Sequence, residues 1–217
     1  DIQFAVHQSA RFTHFPKKSH GEAVKRICRY LAGTADQGVE FNPTKAMELD
    51  CYVDADFAGL WNHEDDQDPV CVKSRTGYVI TLGGCPVLWV SKLQTEIALS
   101  TLDSEYIALS QAMRDLLPMK RLLQEIANEM KLEFGKPALV HSTIFEDNNG
   151  ALALATNQRI TARTTYFHVK WHHFWNAVTV GDIAVVKADT KDQLADYLMK
   201  GLSRETFEHL HKLVQGW

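Results

Sequence analysis

From residue 49 to residue 57 side chains of opposite character alternate, Leu49, Cys51 and Val53 against Asp50, Tyr52 and Asp54, and this period of two predicts a strand from Leu49 to Phe57. GYVITLGG reads as a second strand ending in a Gly-Gly turn, with PVLWVSK as its hairpin partner, so three successive strands form an antiparallel meander. From Ser100 the spacing changes to that of a helix. Leu102, Tyr106, Leu109, Met113 and Leu116 make one stripe, with Ser100 or Thr101 as N-cap and a kink or restart expected at Pro118 before Leu122, Leu123 and Ile126. Leu139 to Phe145 is a fourth strand that ends at EDNNG. GALALAT then predicts a helix, Phe167 to Val178 another, Asp182 to Val186 a strand, and Asp192 to Leu202 and Arg204 to Val214 two short helices. Upstream, Ser19 and Glu22 have the S-x-x-E spacing of a capping box, opening a helix to Leu31 that Gly33 stops. This order of elements predicts an α/β chain with a mixed sheet flanked by helices.

Length and composition narrow the class. The 217 residues suffice for one domain of ordinary size, or one with a short extension. With 45% hydrophobic and 23% charged residues the chain should bury a core, which argues against disorder, collagen-like repeats and a disulfide scaffold. The net charge of −4 (23 basic, 27 acidic) advertises no polyanion partner, so nucleic-acid contact would have to come from local patches. Lys17, Lys18, Lys25, Arg26 and Arg29 on the first helix form one such patch, or simply a solvated face. Four cysteines without CxxC spacing suggest reduced thiols. Neither a signal peptide nor 18 uninterrupted apolar residues occur, so export and membrane spanning are not expected. The absence of a starting Met suggests a fragment of a longer chain.

The informative residues are acids inside apolar patterns. Glu105 lies between Leu102 and Leu109 on the core-facing stripe, where a lone carboxylate costs several kcal/mol. Asp54 falls within the first strand, Asp147 closes the fourth, and Asp196 lies beside Leu194 and Leu198. Each has an ordinary reading: a strand-end turn, a helix N-cap, a solvated helix position and, for Glu105, half of a salt bridge. Taken together, two strand ends and two helices could carry all four into one cleft, where hard divalent cations favour oxygen ligands and a pair of ions suits phosphodiester chemistry.

Other chemistries fit less well. His168 and His172 have i, i+4 spacing and His173 is adjacent, but no HExxH or Cys partner accompanies them. There is no G-x-S-x-G, no P-loop and no GxGxxG, and Gly83–Gly84 lies between strands. No small-molecule cofactor is expected.

The segments YVDADFAGLW, KSRTGYVITLGGCPVLWVSKLQTEIALSTLDSEYIALS, FEDNNGALALATN, WHHF and VVKADTKDQLADYLMKGL, in this order, resemble the C-terminal part of the Pol polyprotein of copia-type LTR retrotransposons. The resemblance implies that residues 1–46 are the tail of the reverse transcriptase and its connection, and that residues 47–217 are a ribonuclease H domain. It also implies a ribonuclease H-like fold: a five-stranded mixed sheet, strands 1 to 3 antiparallel, flanked by helices. The family's catalytic and metal-binding acids map onto Asp54, Glu105, Asp147 and Asp196, holding two Mg²⁺ ions for which Mn²⁺ could substitute. The implied activity is hydrolysis of the RNA strand of RNA–DNA hybrids, with 3′-hydroxyl and 5′-phosphate products, in cytoplasmic virus-like particles beside the reverse transcriptase domain of the same polyprotein.

Recognition of a hybrid requires contacts to 2′-hydroxyls and to a DNA backbone. Asn148 and Asn149 are candidates for the first; Ser91, Lys92, Gln94, Arg163 and Lys170 are candidates for the second, against helix capping and surface solvation. Trp61, Trp171 and Trp175 could pack on sugars, while Trp89 is expected in the core. Where family members usually read RTKHID this chain has RTTYFH, with Thr165 and His168 in place of a base and an acid. Cellular ribonucleases H carry a His before the last catalytic Asp; KADTKDQ has none, so His172 or His173 would have to reach in. Two other functions share this architecture: an inactive connection module that binds hybrid or the polymerase, and an integrase-type nuclease acting on duplex DNA.

Overall fold

Gly83 and Gly84 both take positive φ, 59° and 88°, and so allow the two-residue turn that matches the twist of the flanking strands. The turn joins β2 (Arg75–Leu82) to β3 (Cys85–Leu93), and β2 pairs antiparallel with β1 (Glu48–Asp56). The meander expected from the sequence is therefore present, with strand ends shifted by one or two residues. The computed structural model describes residues 1–43, 48–61, 67–132, 140–156 and 175–216.

The fourth strand, β4 (His141–Glu146), lies parallel to β1, and β5 (Ala184–Lys187) lies parallel to β4, which gives the order β3-β2-β1-β4-β5. One face is covered by α3 (Thr101–Glu129): Leu109, Met113 and Leu116 pack with Leu49, Cys51, Val53 and Ile144 in one buried cluster. On full burial each such side chain contributes about 1.5–3 kcal/mol. A second cluster joins Val79 to Leu194, Tyr197, Leu198 and Met199 and to α5 (Arg204–Gln215). Between these layers β1 is buried along most of its length, as expected of a central strand.

Ser100 caps α3 by accepting the Asp103 backbone N–H at 3.1 Å, while Asp103 accepts that of Leu99 at 2.9 Å. The kink expected at Pro118 does not divide the helix. Buried Leu116 and Lys120 hold it on either side, and Lys120 Nζ binds Asp182 Oδ1 at 2.5 Å, just before β5. After β4, α4 (Asn149–Thr156) begins at once. The helix expected over Phe167 to Val178 is described only in part, at 175–179. A single helix over Asp192 to Leu202 is also not what forms: two 3₁₀ turns, Thr190–Asp192 and Leu194–Leu198, flank an extended Gln193.

At the N-terminus, α1 (Gln3–Ala10) and α2 (Lys18–Gly33) lie outside the sheet. The capping pair predicted at Ser19 and Glu22 is displaced. The helix starts one residue earlier, the Lys17 N–H donates to His20 Nδ1 at 3.1 Å, and Glu22 pairs with Lys25 at 2.9 Å. α1 is tied to β2 through buried Arg75, which donates to Gln8 Oε1 at 2.9 Å and lies over the Phe4 ring. All four cysteines are free thiols, and among the described residues no helix is long and apolar enough to cross a membrane.

Candidate active site

Parallel pairing of β1 and β4 sets Tyr52 opposite Phe145, with their rings stacked at 4.5 Å, so Asp54 and Asp147, each two residues further on, leave the sheet at the same level. The first turns of α3 bring Glu105 to that point, where its carboxylate accepts the Ala55 backbone N–H. One oxygen from each of Asp54, Glu105 and Asp147 lies within 4.8 Å of the others. Asp54 is 5% exposed and Glu105 4%.

Asp196 arrives on the second 3₁₀ turn and hydrogen-bonds the Asp54 carboxyl. One turn later Lys200 closes this side of the cluster, with Nζ 2.7 Å from Asp196 Oδ1 and 3.8 Å from Asp54 Oδ2. The four acids anticipated from the sequence are thus neighbours: Asp54, Glu105 and Asp147 form the triad, Asp196 adjoins it through Asp54, and Lys200 bridges Asp54 and Asp196.

The carboxylates perturb one another. Burial, then the charge of Glu105, pushes Asp54 up to about 10, while burial, then the charge of Glu146, pushes Glu105 up to about 9. Asp147 is raised by burial and by Asp196. For Lys200 burial opposes the charge, but the Asp196 hydrogen bond and the charges of Asp196, Asp54 and Asp56 outweigh it and raise the pKa. Without metal, the folded chain holds protons on Asp54 and Glu105 that the unfolded chain releases near pH 4. Folding stability therefore falls as pH rises from about 4 toward 9. Melting in chelator across this range should show a falling midpoint, which Mg²⁺ at about pH 8 largely restores. A flat profile contradicts the assignment.

The donor set suits a hard divalent cation. It is all carboxylate oxygen, and Glu105 Oε2 is buried without a hydrogen-bond partner among the described residues, a deficit that a cation would make good.

Three residues that line or brace the site were not singled out in the sequence: Lys200, Gln193 and Glu146. Lys200 could have been found from its i+4 spacing to Asp196. Gln193 is fully buried and donates through Nε2 to the carbonyls of Val53 at 2.9 Å and Phe145 at 3.4 Å, which ties the Asp196 turn to the ends of β1 and β4. Gln193→Leu removes both donations from a buried position, and urea titration should show a loss of about 1–3 kcal/mol. An unchanged midpoint would remove Gln193 from this role.

Some proposed substrate contacts are corrected. Ser91 is buried, donating to the Leu198 carbonyl and accepting from Arg75 at 3.3 Å; Gln94 is buried, donating to Ser104 O at 2.9 Å and Thr76 Oγ1 at 3.1 Å. Both hold the fold from within, because their donor groups are engaged inside it. Lys92 and Asn149 are exposed, and Asn148 Oδ1 caps α4 by accepting from Gly150 and Ala151 at 2.8 and 3.1 Å. Trp89, expected in the core, is 44% exposed on β3, while Trp175 packs against the main cluster. Arg163, Thr165, His168, Lys170, Trp171, His172 and His173 lie outside the described residues.

A mixed sheet in this order, antiparallel in its first three strands and with acids converging at the ends of β1 and β4, defines a ribonuclease H-like fold. No protein-family model matches the chain. Among curated proteins, the retrovirus-related Pol polyprotein from transposon RE2 of Arabidopsis thaliana is 33% identical over 214 residues, 99% of this chain and 14% of that protein. Its counterpart from transposon RE1 is 34% identical over 96% of this chain and 13% of that protein. The polyprotein from transposon TNT 1-94 of Nicotiana tabacum is 35% identical over 99% and 15%. Over nearly its whole length the chain is similar to the Pol polyproteins of these transposons, and it spans 13–15% of the length of these relatives. Among solved structures, LC11-RNase H1 isolated from compost is 15% identical, covering 78% of this chain and 94% of that one at a TM-score of 0.43. Its complex with an RNA/DNA hybrid gives 17%, 70% and 93% at 0.43.

Proposed function

We propose that residues 47–217 form a ribonuclease H that hydrolyses the RNA strand of RNA–DNA hybrids during reverse transcription, and that residues 1–46 are the tail of the reverse transcriptase and connection of the same polyprotein. The reading places the protein in cytoplasmic virus-like particles. The observation that carries it is the meeting of Asp54, Glu105 and Asp147, from three distant stretches of chain, within 4.8 Å.

Asp54, Glu105, Asp147 and Asp196 are the residues that would hold two Mg²⁺ ions, or Mn²⁺ in their place. Bound there, such ions supply an activated water and neutralise charge developing at the scissile phosphate. The chain's own part is positioning. Asp54 is central, a member of the triad that also hydrogen-bonds Asp196. Burial of Asp54 and Glu105 keeps bulk water from screening the site. Asn148, by capping α4, fixes the loop that carries Asp147, and Asn148 and Asn149 remain the proposed contacts to ribose 2′-hydroxyls. Lys92 and Arg163 remain the proposed contacts to the DNA backbone. Lys200 neutralises the Asp196 side, so Lys200→Met should lower the metal-free melting temperature and increase the rise that Mg²⁺ produces. Equal Mg²⁺-induced rises in the variant and the unaltered chain would contradict this role.

The test is cleavage of a labelled RNA–DNA hybrid across a Mg²⁺ titration, with duplex DNA and single-stranded RNA alongside. Metal-dependent cutting confined to the hybrid's RNA supports the reading. Hybrid binding without cutting at millimolar Mg²⁺ favours the connection module, and cutting of duplex DNA favours the integrase type.

A further inference from the structure

Glu146 ends β4 one residue before Asp147 and has 0% of its surface exposed. Along β4 the buried positions are Ser142, Ile144 and Glu146, so the alternation that sends Ile144 into the core beside α3 turns Glu146 to the same face. An apolar residue would suit that position without penalty, whereas a carboxylate there costs several kcal/mol unless something offsets it. Half of the group is satisfied: Oε1 accepts the Asn148 backbone N–H at 3.0 Å. Oε2 is buried with no hydrogen-bond partner among the described residues, as is Oε2 of Glu105. The charges acting on Glu146 are those of Asp54 and Asp147, and Glu146 is in turn the strongest charge acting on Glu105. The unpaired oxygen therefore belongs to the acidic cluster.

Resting on the nuclease reading of the site, we propose that Glu146 is a fifth acid of the cation site, a positioning residue whose buried charge stands behind Asp54, Glu105 and Asp147 and strengthens their hold on a divalent ion. The three ligand oxygens close within 4.8 Å without it, so it works from behind them. Its second part is mechanical. Through the Asn148 N–H it fixes the turn from which Asp147 projects and α4 begins. Residues that brace metal ligands in this way typically alter affinity 10–100-fold when removed.

Glu146→Gln separates the two parts, because Gln keeps an acceptor for the Asn148 N–H and loses the charge. In calorimetric Mn²⁺ titrations of the 217-residue chain, E146Q should bind about tenfold more weakly than the unaltered chain. E146D, which keeps the charge, should stay within about threefold. In chelator, E146Q should melt at or above the temperature of the unaltered chain, since Gln keeps the acceptor for the Asn148 N–H and replaces the unpartnered oxygen by a donor that the neighbouring carboxyl oxygens can accept. The proposal is overturned if the unaltered chain and E146Q bind Mn²⁺ equally, if E146D loses as much affinity as E146Q, or if E146Q is the less stable in chelator. Should the unaltered chain itself bind no Mn²⁺, the cation reading of the whole site fails, and the proposal with it.

Discussion

Asp54→Asn is expected to reduce hybrid cleavage by about 10³-fold or more, the scale associated with loss of a group that stabilises charge directly at the reaction centre. Asn preserves the shape of the side chain and removes the carboxylate that belongs to the triad and hydrogen-bonds Asp196. The fold should survive. In the metal-free chain Asp54 is pushed up to about 10 and carries a proton in the folded state, so the neutral amide should leave stability in chelator unchanged or higher. Circular dichroism melts beside the cleavage assay separate the two outcomes. A variant that cuts at more than about a tenth of the normal rate would remove Asp54 from the chemistry.

The largest effect on stability is expected at Gly77, on β2. A Cβ built there would lie 2.4 Å from Met199 Cγ, 2.9 Å from Met199 Sδ and 3.2 Å from the Ala195 carbonyl oxygen. Met199 is fully buried and Ala195 is backbone next to Asp196, so neither can simply swing aside. Gly77→Val forces the 3₁₀ turn off the sheet; overpacking of this kind costs about 1–3 kcal/mol or more, and the packing of Val79 against Leu194 and Leu198 is lost in addition. Because that turn carries Asp196 and leads to Lys200, cleavage should fall together with the urea midpoint. Full stability in G77V would mean that the turn does not rest on β2 as described.

Glycine in the middle of a strand shows why some features were legible in the sequence and others were not. Period-two and period-3.6 patterns located β1 to β3 and α3 because burial on one face leaves a local signature, and Glu105 stood out as an acid on that face. Asp147 was singled out, but Glu146 beside it was not, although the alternation from Ser142 through Ile144 points to its burial. The break at Gln193 was invisible because it depends on two carbonyls about 50 and 140 residues away in the chain, those of Phe145 and Val53. Ser91 and Gln94 were misread for the same reason: polar residues just past a strand look exposed until the elements that cover them, the 3₁₀ turn and α3, are in place. The continuity of α3 through Pro118 likewise comes from tertiary anchoring at Leu116 and Lys120, which overrides local preference.

The most direct measurement is the position of Mn²⁺ in crystals of the chain soaked with the ion, read from anomalous scattering. Peaks at ordinary metal–oxygen distances from Asp54, Glu105 and Asp147, with a second on the Asp196 side when hybrid is bound, are the predicted result. Strong peaks elsewhere, with these carboxylates left unliganded at saturating Mn²⁺, would contradict the account.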